Sequence, residues 1–75
     1  MFNLISVGKL LNKKGYKTSY DAINDPCVIV NLPYRSINEH EIKWVLGRDL
    51  GENLNNYVLT NTGNGKVLIY EDRES

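Results

Sequence analysis

The same punctuation runs twice along this chain: a helical pattern, a glycine, then two short apolar runs separated by turn residues. Residues 6–32 carry the first set and residues 36–70 the second. Each helix and each hairpin has apolar surface to bury. The economical packing is one antiparallel sheet of four strands with both helices on one face. The expected class is therefore α+β, in the order α-β-β-α-β-β. Residue identity between the halves is low, so the likeness is one of architecture and not evidence of duplication. Seventy-five residues make one domain, 1–75, near the size at which a single core is barely sufficient.

In the first half, Ser6 is the expected cap of a helix from Val7 to Lys14, with Gly15 as its stop. Leu4, Val7, Leu10 and Leu11 share a face. Gly8 in the first turn weakens the helix slightly. Residues 2–5 either extend this helix or form a fifth strand at a sheet edge. Tyr16 to Ile23 alternates, with Tyr16, Thr18, Tyr20 and Ala22 pointing one way. Asn24-Asp25-Pro26 is a turn signal. Cys27 to Leu32 is apolar on both sides and is expected to be a central strand. A winged-helix layout competes, with Thr18 to Asn24 helical and residues 57–70 as the wing. The turn signal fits a hairpin better.

In the second half, Ser36-Ile37-Asn38-Glu39 has the form of a capping box opening a helix to Leu50, and Gly51 closes it. Glu52 to Asn56 is expected to be a polar loop. Residues 57–60 and 66–70 are expected strands. Asn64-Gly65 between them is a strong hairpin signal. The run Gly63-Asn64-Gly65-Lys66 lacks the loop length, the Ser or Thr after lysine and the following helix of a phosphate loop, so it too reads as a turn. Residues 71–75 are expected to form a frayed tail.

Catalytic chemistry finds little to use. His40 and Cys27 are the only residues of their types. A zinc site needs three or four ligands, and one histidine with one cysteine cannot supply them. Glu39, His40 and Glu41 are consecutive on a helix and cannot converge on one ion. Cys27 reads as a small core residue and His40 as an exposed one. No metal, cofactor or enzymatic activity is expected. The lone cysteine and the absence of a signal-peptide pattern in Met1 to Val7 favour a reducing, cytoplasmic setting. No apolar run approaches the roughly 20 residues of a membrane span.

Charge is balanced, with nine basic and nine acidic residues, but unevenly laid out. Residues 1–20 hold Lys9, Lys13, Lys14 and Lys17 and no acid. These lysines, with Tyr16 and Tyr20 and the other strand tyrosines Tyr57 and Tyr70, define a second functional reading: a small nucleic-acid-binding regulator using stacking and phosphate contacts. Overall neutrality and the acids Asp21, Glu71 and Asp72 beside the tyrosines argue against it.

The leading expectation rests on Trp44, the only tryptophan. At about 100° per residue, Ile42, Val45, Leu46 and Leu50 form one stripe. Trp44 falls roughly opposite, beside Ile37, Glu41 and Arg48. Interfaces favour Trp, Tyr and Arg as anchors. The sequence therefore points to a protein-binding module whose contact surface is Ile37, Glu41, Trp44 and Arg48, with Tyr34 and Arg35 nearby. The partner is another protein or a second copy of the chain. Ten asparagines, with many Lys, Ile and Tyr, give the composition of an AT-rich genome. That raises the expectation of a phage or mobile-element accessory that binds and modulates or inhibits a host protein.

Overall fold

Asn3 starts the first helix. In the computed structural model, which describes residues 3–22, 26–32 and 39–72, its side-chain oxygen accepts the Ser6 N–H at 2.9 Å. Helix α1 spans Leu4–Lys13. Ser6 is thus inside the helix and not its cap. The cap lies three residues earlier because Leu4 shares the buried face with Val7 and Leu11, and burying a leucine contributes about 1.5–3 kcal/mol. Leu4 and Ile5 are helical, so the described residues contain no fifth strand. At the other end Gly15 takes φ +100°. That left-handed geometry costs glycine little and lets the chain turn directly into the sheet.

Strands β1 (Lys17–Asp21) and β2 (Cys27–Asn31) pair antiparallel as the first hairpin. Of its expected turn, Asn24 and Asp25 lie outside the described residues. Because β1 is extended, the winged-helix layout is excluded. Helix α2 spans Glu39–Leu50. Ser36, Ile37 and Asn38 lie outside the described residues, and the expected capping box with them. The expected polar loop after Gly51 is instead a 3-10 segment, Gly51–Asn56. Leu54 gives it a reason to coil, since this half-buried leucine packs against the core. Strands β3 (Tyr57–Asn61) and β4 (Lys66–Glu71) form the second hairpin. Gly63 N–H donates to Asn61 Oδ1 at 2.9 Å and Thr62 N–H to the Lys66 carbonyl at 3.0 Å, which closes the turn. The second hairpin outruns its expected end: Glu71 belongs to β4, and Asp72 N–H donates to the Asn56 carbonyl at 2.8 Å.

The sheet order is β1-β2-β4-β3, all antiparallel. The two hairpins join through β2 and β4, so the two most apolar strands are neighbours. Val28 pairs with Ile69 and Val30 with Val67. These four are buried, together with Leu59 of β3, Leu4, Val7 and Leu11 of α1, and Ile42, Leu46 and Leu50 of α2. One continuous core therefore lies between a single sheet face and both helices, as the two-halves pattern implies. Among the described residues, none that is polar or charged is buried.

Candidate functional site

Helix α2 places its side chains by ordinary helical spacing. Ile42, Leu46 and Leu50 recur at intervals of four and are sealed in the core. Val45 flanks them, half-buried against the core. Trp44 is two positions from both Ile42 and Leu46, which turns it about 200° from each. The residue is 66% exposed. Arg48, one turn on, lays its guanidinium carbon 5.2 Å from the ring centroid. That is within the roughly 6 Å over which a cation is attracted to an indole face. Trp44 and Arg48 are therefore a pre-arranged pair on the outer side of α2.

Glu41 belongs partly to another neighbourhood. The Tyr16 phenol has its pKa raised above the ordinary 10.0, first by partial burial, then by the negative charge of Glu41, with Lys14 opposing. Glu41 on α2 is therefore near enough to Tyr16, just before β1, for its charge to act on the phenol. Lys14 Nζ makes an ion pair with Asp49 Oδ2 at 2.9 Å, bridging the ends of the two helices. Ile37, Tyr34 and Arg35, the rest of the expected contact surface, lie outside the described residues.

The residues of the nucleic-acid reading are not brought onto one face. Lys9 and Lys13 are exposed on α1, and Lys14 is held by Asp49. Tyr16 and Tyr57 pack against the core. Tyr20 pairs with Val28 on the helix side of the sheet, at the β1 edge. Tyr70 pairs with Cys27 on the opposite side. A stacking platform needs its rings in one plane of access, and these four are divided among three surroundings. The described residues hold no group of three or more His, Cys, Asp or Glu side chains able to bind a metal. Cys27 lies on the sheet face turned away from α2, whereas His40 is on α2 itself.

A second surface escaped the sequence reading. The face of the sheet opposite the helices has no covering element among the described residues, yet its middle is apolar. Ile29 and Leu68, both half-buried, pair side by side there, and in the next row toward Asp21 the half-buried Tyr70 pairs with Val58 and with the buried Cys27. Val58 is 44% exposed. None of these five contributes to the core cluster. The signal was present in the two-sided apolar character of residues 27–32 and 66–70. For residues 27–32 that character implies a central strand, which β2 is, but a strand central in its sheet can still have one face open to solvent.

Comparison with protein-family models, with curated proteins and with solved structures finds no match to this chain. None of the described helices is long and apolar enough to cross a membrane.

Proposed function

We propose that this protein works by binding another protein through the outer side of α2, with Trp44 and Arg48 as the anchors. The observation that carries the reading is the 66% exposure of Trp44 beside a stacked Arg48. An indole left in water forgoes burial that the core had room to demand of other apolar residues in the same helix. Stacking limits the freedom of the Arg48 side chain, so less ordering remains to be done on binding. A partner supplies an apolar pocket for the ring and an acceptor, carboxylate or carbonyl, for the guanidinium. In this reading the protein performs no chemistry: it occludes or reshapes a surface of its partner. The biological setting we propose is an intracellular accessory of a phage or mobile element acting on a host protein, which rests on the asparagine-rich composition.

Affinity capture from the producing cell tests this. Wild type should retain a partner that Trp44→Ala releases, with binding weakened about thirtyfold or more, as for an interface hot spot. Circular dichroism of the two proteins should be the same. Lys9→Glu with Lys13→Glu should leave capture unchanged. Equal capture by wild type and Trp44→Ala would remove the α2 surface from consideration.

A further inference from the structure

We propose that the open face of the sheet is a self-association surface, taking the same face of a second copy of this chain. This face lies on the other side of the sheet from α2. Alternation along the strands assigns the open-face residues. At one end of this face stand Lys17 of β1 and Lys66 of β4, in line across Asn31. In the middle stand Ile29 and Leu68, paired with each other. At the other end stands Asp21 of β1, in line with Cys27 and Tyr70. One step beyond, Asp72 follows β4 beside Asn56. Along the strand direction the face thus runs from a basic end, through an apolar middle, to an end where Asp21 at the β1 edge stands beside the neutral Cys27, Tyr70 and Val58.

Such a face is complementary to itself in one orientation. A two-fold axis lying across the strands, through the Ile29–Leu68 row, reverses the strand direction of the second copy. Lys17 then lies over Asp21 of the other copy, Lys66 lies over its Tyr70 and Asp72 end, and the apolar rows meet at the centre. A two-fold axis along the strands instead brings all four lysines to one end, which like-charge repulsion disfavours. Packed sheets cross at about 30°, which offsets the ends by a few ångströms, and long lysine stems span that offset. The contact is isologous and closes as a dimer. Four strands about 4.8 Å apart and five residues long, at about 3.4 Å each, make a face of roughly 19 by 17 Å. Two such faces bury roughly 650 Å² in all, below the area of a stable dimer, so the association is weak and concentration-dependent.

The test is sedimentation equilibrium of the full chain from about 10 μM to about 1 mM, the range expected for a contact of this size. The average mass should climb from 8.6 kDa toward twice that value. Lys17→Glu sets acid over acid and Asp21→Lys sets base over base. Each variant alone should weaken self-association at least about tenfold. An equimolar mixture of the two should recover it, because every facing pair is then opposite in sign. Lys66→Glu should weaken association without altering Asp21. Throughout, Trp44 emission should not move, since its helix packs on the other side of the sheet. A wild type that stays at 8.6 kDa at the highest concentration overturns the proposal. So does association that survives the single charge reversals, or a mixture of folded variants that fails to recover it. Loss of association in Trp44→Ala alone would reassign the contact to α2.

Discussion

Gly8 of α1 lies directly over Val28 of β2. A methyl group added at Gly8 would sit 3.5 Å from Val28 Cγ2 and 3.6 Å from Cγ1, ordinary contact distances. Beside it, Thr18 Oγ1 donates to the Gly8 carbonyl at 3.3 Å. The glycine therefore brings the helix close to the sheet and leaves room for one carbon more. Alanine favours a helix interior by about 1 kcal/mol over glycine. Gly8→Ala should raise stability by roughly 0.5–1 kcal/mol, read as a higher urea midpoint with an unchanged slope. Gly8→Leu should lower it, because several added carbons must displace Val28 or the helix. A lower midpoint for Gly8→Ala would mean that α1 and the sheet are packed tighter than these distances.

Trp44 and Leu46 should separate function from folding. Leu46 is fully buried, and Leu46→Ala should cost about 2–5 kcal/mol by leaving a cavity. Trp44→Ala removes a far larger side chain, yet it should change stability by no more than about 0.5 kcal/mol, as for a surface substitution. Urea denaturation of both variants measures the contrast. A cost for Trp44→Ala comparable to that of Leu46→Ala would place the indole in the core.

Tyr16 should respond to Glu41. Partial burial and the Glu41 carboxylate both favour the neutral phenol, so its folded pKa lies above its unfolded one. The folded state then holds the proton at a pH where the unfolded state has released it, and stability falls as pH rises through that interval. The stabilising preference is complete below pH 10.0, the ordinary phenol value, and is lost above it. Glu41→Gln should move the Tyr16 titration down toward that value, followed by phenolate absorbance. No movement would show that burial alone sets the shift.

The bridge between Lys14 and Asp49 should contribute little. Their side chains are 35% and 39% exposed, and exposed pairs typically contribute about 0.2–1 kcal/mol. Lys14→Ala should cost less than about 1 kcal/mol, and the difference should shrink as salt is raised. A double-mutant cycle with Asp49→Ala measures the coupling. A salt-independent loss would point instead to lost packing of the lysine stem.

Within the chain, local signals were enough for the elements and for the side each buries. Spacing of Ile42, Leu46 and Leu50 identified the inner face of α2 and, by subtraction, the outward Trp44. Gly15 and Asn64-Gly65 marked turns, and there Gly15 and Gly65, with Gly63, take the positive φ that few other residues adopt, while Asn64 does not. Local signals failed at Ser6, whose capping chemistry is overridden by the burial of Leu4, which moves the cap to Asn3. They failed again at Gly51–Asn56, where one apolar residue, Leu54, turned a polar loop into a 3-10 segment against the core.

Periodicity, then, determined which sides of each segment shun water, because that property belongs to a segment and travels with it. Only the tertiary structure decided which segments became neighbours. The β1-β2-β4-β3 order sets Ile29 beside Leu68 and lines up Lys17 with Lys66. No residue encodes that adjacency alone. It arises when two hairpins and two helices bury one shared core, and the apolar residues on the far side of β2 and β4 are left facing outward because both helices are already committed to the other face.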